Sequence, residues 1–244
     1  MSELSTLRGE GWRSMADSAR LRTVSQGRFV AAGMTSLRHL LAAHAPLLLI
    51  DAASTRVQVG LLDADGATRW QTSDEEAGVG VFRCVEAIGS DLNSVRAFVF
   101  CDGPGSILGI RTAAMALRTW QSLGWRPAFA YCSLAVVAHA LGQSDVQAIA
   151  DARRNLWHHY TPGGSLRRVP VAELTGRLVM PEGFRHWSPL PSNVASTSYS
   201  LAALLPRITH ADLFRETDTP DAFLHEEPSY ATWAPHIHQA PATP

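Results

Sequence analysis

The sequence predicts an α/β protein made of two related halves. Three observations carry this. Apolar strand-like runs alternate with helix-period segments between residues 47 and 141. A glycine-rich turn joins one such strand to the longest helical pattern. A strand ending in Asp-Ala recurs about a hundred residues after its first appearance, a spacing too long for a solenoid repeat.

The elements follow in order. Leu47-Leu48-Leu49-Ile50-Asp51 is an unbroken apolar run ending in a carboxylate, the pattern of a strand covered on both faces. Arg56 to Leu61 alternates, and Asp65-Gly66 turns the chain into a third strand at Ala67–Gln71. Residues 74–89 read as a helix with Val81, Phe82, Val85 and Ile88 on one side. A strand over 95–100 leads through Gly103-Pro104-Gly105-Ser106 into a helix over 106–123, and Ser106 is its expected N-cap. A short strand at Pro127–Tyr131 and a helix from Ser133 to Leu141 complete the order β-β-β-α-β-α-β-α. Gln147–Ala152 then echoes Leu47–Ala52, and Leu156–Tyr160 echoes Val57–Leu61; Gly163-Gly164 stands where Asp65-Gly66 stood. Past residue 172 the pattern weakens to one helix at Tyr199–Leu205. The expected units are an amino-terminal extension over 1–45, loosely ordered; a first lobe over 46–142; a second over 143–233; and a tail over 234–244.

Composition excludes several classes. A formal charge of −1 over 244 residues gives no concentrated basic surface, so an autonomous nucleic-acid binder is not expected. Arg153-Arg154 and Arg167-Arg168 read as solvated edges. Cys84, Cys101 and Cys132 lie in apolar surroundings without CxxC spacing, which fits buried free thiols in a reducing cytoplasm. No window is apolar enough for a membrane span. Residues 1–33 are arginine-rich and lack the apolar core of a secretory signal, and Glu3, Glu10 and Asp17 count against a transit peptide. They read as a dispensable arm, or as the product of an upstream start with Met34 as the alternative.

The glycine turn resists two common functional assignments. Its spacing, Gly103-x-Gly105-x-x-x-Gly109, is one residue longer than the dinucleotide fingerprint, and no Lys-Ser/Thr follows. Ser106 is not in a Gly-x-Ser-x-Gly elbow. A rigid turn that brings a helix close to a sheet is the favoured reading.

Together, Leu49-Ile50-Asp51-Ala52-Ala53-Ser54 and Gly103-Pro104-Gly105-Ser106-Ile107-Leu108-Gly109-Ile110-Arg111 resemble the TsaB family, also called YeaZ or glycoprotease-like proteins. Asp151-Ala152-Arg153-Arg154 and Glu227-Pro228-Ser229-Tyr230 resemble its later landmarks, so the resemblance spans roughly residues 46–233. Three positions depart from the family pattern. Asp51-Ala52-Ala53-Ser54 replaces Asp-Thr-Ser, Ile107-Leu108-Gly109 replaces Phe-Thr-Gly, and a His-Ser pair before the first helix is missing.

The resemblance implies a two-lobed, duplicated α/β fold of the actin-like ATPase and sugar-kinase (ASKHA) type. It implies a subunit without activity of its own, a dimerisation platform for the catalytic paralogue TsaD. With the ATPase TsaE, TsaD places threonylcarbamoyl on adenosine 37 of tRNA; this chain would meet tRNA only indirectly. ATP or ADP with magnesium would then sit at the partner interface. Two alternatives stay open: an ATP-binding kinase or ATPase of the same fold, and a diverged homodimer.

The residues offer little catalytic machinery. Actin-like ATPases use Asp-x-Gly-x-Thr/Ser at the first turn, and here Ala53 takes the glycine's place. Asp51, Ser54, Gly103, Gly105 and Ser106 are the residues that would line a nucleotide site if one existed. His39 and His44 diverge around a helix, His158 and His159 face opposite sides of a strand, and His236 and His238 lie in the tail, so no native metal site is expected. No Ser-His-Asp triad can be assigned.

A partner surface is the stronger candidate. On helix 106–123, Ile110, Ala113, Ala114, Ala116, Leu117 and Trp120 cover more than one stripe, while Arg111, Met115 and Arg118 form another face. Phe82, Val85 and Glu86 join the candidate set, in the partner face or in the core. A fully covered core helix remains the alternative on these residues alone; the family resemblance favours an interface.

Overall fold

The computed structural model describes residues 33–89 and 91–223. In chain order it contains β1 (Met34–Ser36), α1 (Leu37–His44), β2 (Leu47–Asp51), β3 (Val57–Leu62), β4 (Thr68–Ser73), α2 (Ala77–Ala87), β5 (Ala97–Gly103), α3 (Ile107–Leu123), β6 (Ala128–Cys132) and α4 (Ser133–Leu141). There follow β7 (Val146–Asp151), β8 (Leu156–Tyr160), β9 (Arg167–Pro170), β10 (Arg177–Pro181), β11 (Val194–Thr197), α5 (Leu201–Leu204) and β12 (Asp212–Thr217).

Two sheets result. The first runs β1-β12-β6-β5-β2-β3-β4 and the second β11-β10-β7-β8-β9. The internal echo in the sequence is real in three dimensions. In the first sheet β2 pairs antiparallel with β3 and parallel with β5. In the second, β7 pairs antiparallel with β8 and parallel with β10. Each half thus centres on a strand ending in aspartate, with its own hairpin on one side and a parallel neighbour on the other. This is the duplicated α/β architecture expected from the sequence.

Burial follows from the layers. Successive residues of β2 point to opposite faces. Leu48 and Ile50 meet Val81, Leu117 and Trp120 of α2 and α3, while Leu47 and Leu49 face the core shared with α1 and α4. With both faces covered, β2, β3, β5 and β6 are buried along their whole length, which is why β2 reads as an unbroken apolar run. Helix α4 lies between the two sheets, and its core takes in Ala148, Ala150 and Val179 of the second sheet. Its sequence is accordingly apolar all round.

Two expected boundaries move. Residues 34–44, placed with the loosely ordered extension, are built into the first lobe. Ser36 caps α1 by accepting from His39 N, Leu37 and Leu40 are buried, and β1 pairs with β12. Residues 212–217, placed with the second lobe, return as β12 beside β6 in the first sheet. Both moves rest on pairing between distant residues, which has no local signature. The arm before Gly33 and the tail over 234–244 lie outside the described residues.

The glycine turn is where two layers come closest. Ser106 N donates to Ala53 O across 2.7 Å, tying the start of α3 to the turn after β2. A Cβ on Gly109 would sit 2.1 Å from Ala52 O, and one on Gly105, at φ +155°, would sit 2.4 Å from Ala53 O. Both obstacles are backbone, so the turn admits only glycine. On α2, by contrast, a Cβ on Gly78 would meet open space. We expect Gly109→Ala to cost at least about 2 kcal/mol in urea unfolding, and Gly78→Ala to be neutral or to gain up to about 1 kcal/mol. Equal effects at the two sites would contradict this close approach.

Candidate functional site

The turn after β2, the starts of α2 and α3 and the loop after β10 enclose a cleft of about 470 Å³. Ala52, Ala53, Ser54 and Thr55 line its floor with Ser106–Gly109; Asp74, Glu75 and Glu76 stand on one wall, and Arg153, Arg185 and Trp187 on the other. This is the place where a phosphate-binding turn would act.

The groups that would serve such a site are engaged elsewhere. Asp51 is completely buried. Its Oδ2 accepts from the hydroxyls of Tyr131 and Tyr199, each at 2.6 Å, and its Oδ1 accepts from Ala53 N at 2.9 Å. Burial pushes this carboxyl above its ordinary range, against the opposing pull of the two tyrosine hydroxyls and the amide. No oxygen of Asp51 reaches the cleft. Ser54 Oγ is held locally, donating to Arg56 O and accepting from Arg56 N. Ser106 has its amide on Ala53 O and its Oγ capping α3 through Gly109 N. Gly103 closes β5, and Ser133 Oγ donates to Pro104 O at 2.6 Å, fixing the turn from behind. Of the five residues singled out for a nucleotide site, the three with side chains, Asp51, Ser54 and Ser106, all have them bonded within the fold.

Asp151, the counterpart of Asp51 in the second half, is likewise occupied. It accepts from the amides of Arg153 and Trp187 at 2.5 Å each and from Ser188 N at 2.7 Å. Partial burial opposes its ionisation, but the amides of Ser188, Trp187 and Arg153 outweigh this and hold the carboxyl below the ordinary range. The two aspartates therefore work as structural caps. Asp151 fastens the loop carrying Trp187, whose ring lies 4.4 Å from the Arg153 guanidinium.

Asp51 also joins the two halves. Tyr199 comes from beyond the second sheet, and Gln58 on β3 donates to Tyr199 O and accepts from Leu201 N, each at 2.9 Å. Asp102 on β5 is paired with Arg215 of β12 at 2.5 Å, and burial raises its pKa to about 6 despite the arginine. The tyrosines and Arg215 were not legible as partners in the sequence, since they lie 80 to 148 positions away. An apolar strand ending in a carboxylate was the available signal that something must satisfy it.

Among the described residues, no group of three or more His, Cys, Asp or Glu could hold a metal ion. His44 packs against the Phe129 ring, and His159 bonds Gln147. His236 and His238, like Glu227-Pro228-Ser229-Tyr230, lie outside the described residues. Cys84, Cys101 and Cys132 are buried and free, and burial pushes the Cys132 thiol up to about 12. Among the described residues no helix is long and apolar enough to cross a membrane. Arg153, Arg154 and Arg167 are exposed, but Arg168 is partly buried and donates to Ala152 O.

The partner set divides. Phe82 is 50% exposed and Met115 55%, and Glu86, Arg111 and Arg118 are also on the surface. Val85 belongs to the core with Val81, one turn earlier on the sheet-facing side of α2. Ile110, Ala113, Ala114, Ala116, Leu117 and Trp120 are buried, so only one side of α3 stays open. Val79 extends this open strip on α2, as do Ile107 and Leu108 on α3, with Leu108 78% exposed. Their i, i+3 and i+4 spacing with Phe82 and Arg111 was the signal available for them. Phe82 meets the buried Trp120 edge-on at 6.2 Å, so α2 and α3 touch beside their open sides.

No family model matches the chain, and no curated protein matches it. Among solved structures it is similar to YeaZ from Pseudomonas aeruginosa, at 21% identity and a TM-score of 0.49, over 62% of this chain and 84% of that one. It is also similar to a structure described as an uncharacterized protein with similarity to peptidase YeaZ from Pseudomonas aeruginosa. There the identity is 21% and the TM-score 0.48, over 68% and 86% of the two chains.

Two outcomes are expected from these geometries. Tyr199→Phe removes a hydroxyl from a buried carboxylate and should cost about 1–3 kcal/mol, read as a lower urea midpoint; an unchanged midpoint would show that Asp51 does not depend on that bond. Asp102 has a folded pKa of about 6 against 3.8 as its ordinary value. The stability linked to its protonation is fully present below about pH 4 and is lost as pH rises through 6. The native chain should therefore lose roughly 1–3 kcal/mol of stability between pH 4 and 7, and Asp102→Asn should remove that decline. Parallel pH curves for the two proteins would refute this.

Proposed function

We propose that the chain is a non-catalytic, TsaB-like subunit that supports tRNA threonylcarbamoylation by presenting its α2–α3 strip to a TsaD-like catalytic paralogue, with a TsaE-like ATPase completing the assembly. The observation that carries this reading is the pairing of a disarmed cleft with an open apolar strip. Asp51 and Asp151 are consumed as structural caps, while Val79, Phe82, Ile107, Leu108 and Met115 stand exposed together on two adjacent helices. Contiguous exposed apolar surface on a folded domain marks an association face. Charged residues at its margin, Glu86, Arg111 and Arg118, give it the polar rim that such faces carry. The motif resemblance at 49–54 and 103–111 supplies the identity of the partner.

In this reading any ATP or ADP with magnesium belongs to the assembled complex, since the side chains of Asp51 and Ser54 are bonded within the fold. tRNA is met through the partner. The site of action is the cytoplasm, in keeping with three free, buried thiols. A second copy of the chain is an alternative occupant of the same strip when the paralogue is lacking.

The test mixes the purified full chain with the TsaD-like protein of the same organism and follows mass by light scattering during size exclusion. A one-to-one complex is expected. Replacing Phe82 with Arg and Met115 with Glu together should weaken it at least tenfold, about 1.4 kcal/mol or more, without moving the unfolding midpoint. No complex with nucleotide and the ATPase present, or a complex indifferent to both changes, would sink the proposal.

A further inference from the structure

A separate cavity of about 250 Å³ lies between α4, the β1–β12 edge and the β8–β9 turn, and it shares no lining residue with the cleft. Both halves build it. Met34 on β1, Cys132 on β6, Ala135 on α4 and Leu213 on β12 come from the first sheet and its helix. Tyr160 at the end of β8 and Leu166 before β9 come from the second. Most of the wall is therefore apolar.

The polar groups are few and placed together. Ala135 and His139 lie one turn apart on α4 and line the same space. His139 Nε2 and the Tyr160 hydroxyl are 3.2 Å apart. Burial holds the His139 ring below its ordinary pKa and pushes the Tyr160 hydroxyl up to about 12, so the pair is neutral near pH 7. Whichever of the two donates, the phenolic oxygen of Tyr160 keeps an unused lone pair. Among the described residues, Asp212 at the exposed rim is the one charged residue lining the cavity.

These features define a ligand class. A dry cavity of roughly 150 Å³ already accepts a benzene ring, so this one has room for a ring and a substituent. Water needs two to four polar partners to be held, and away from His139 and Tyr160 the walls are too apolar to supply them. No described basic residue lines the cavity, so nothing would balance a carboxylate or a phosphate beside Asp212. The free lone pair on Tyr160 calls for a donor.

We propose that this cavity binds a small, uncharged, phenol-like molecule, its hydroxyl donating to the Tyr160 oxygen and its ring packing among Ala135, Leu166 and Leu213. Because the walls come from both halves, the bound molecule touches β12 and the β8–β9 turn together and fastens one sheet to the other. Its occupancy does not depend on the α2–α3 strip, none of whose residues lines the cavity.

The test titrates the full chain into para-fluorophenol and into fluorobenzene, which differ by the hydroxyl alone, and follows each by fluorine NMR. Saturable binding is expected, at least about tenfold tighter for the phenol. Tyr160→Phe should cut that preference at least about fivefold while leaving fluorobenzene binding unchanged. Ala135→Leu fills the cavity and should weaken both probes at least about tenfold. The phenol should also raise the urea midpoint of the native chain and leave that of Ala135→Leu where it was. Absence of saturation, equal affinity for the two probes, or a preference untouched by Tyr160→Phe would each overturn the site. Tyr160→Phe removes a single oxygen, so it decides the matter even where Ala135→Leu fails to fold.

Discussion

A buried carboxylate between two tyrosines organises this molecule. Asp51 ends β2, an interior strand of the first sheet, and an unsatisfied carboxyl there would be costly. Tyr131 reaches it from the neighbouring part of the same sheet, and Tyr199 reaches it from beyond the second sheet. One group thus closes the first lobe and fastens the second to it. Gln58 repeats the arrangement a few ångströms on, bridging Tyr199 and Leu201. Tight coupling of this kind is at odds with a cleft that opens and closes around a nucleotide, where the carboxylate must face the ligand.

The glycine turn depends on the same region. Ala52 and Ala53 stand between Asp51 and the first turn of α3, and their carbonyls are the atoms that exclude a side chain at Gly105 and Gly109. The motif that stands out most in the sequence is thus a packing motif, used to seat a helix on a strand end. Because α3 is seated so closely, its other side remains outside the core, and that side carries Met115 and Leu108. Close docking at one face and exposure at the other are two results of one geometry.

Much of the fold was legible because its strands obey local rules. The run Leu47–Asp51 reads as doubly covered and is; the helix over 107–123 begins at the serine expected to cap it. The repeat of strand and Asp-Ala revealed the second sheet. What stayed hidden was pairing across long separations. Nothing in Met34–Ser36 announces a strand until Phe214 and Arg215 lie opposite it, and nothing in Asp212–Thr217 says which sheet it will join. The site was half legible for a related reason. A missing glycine at Ala53 argued against phosphate, but the tyrosines that turn Asp51 inward come from far along the chain. Val85 was left between core and interface because a period of 3.6 places it near Phe82 without saying where the sheet lies.

The return of β12 has a bearing on how the protein is made. Its insertion between β6 and β1 leaves β6 with an open edge until residue 217 has been synthesised. Throughout synthesis of the second half, the nascent first lobe carries an unpaired strand, the kind of edge that invites association with other chains. Met34–Ser36, which pair with β12, are then among the last of the described residues to find their place. Rapid translation from residue 141 to residue 217 would shorten that exposure, and a chaperone that shelters β6 would cover it.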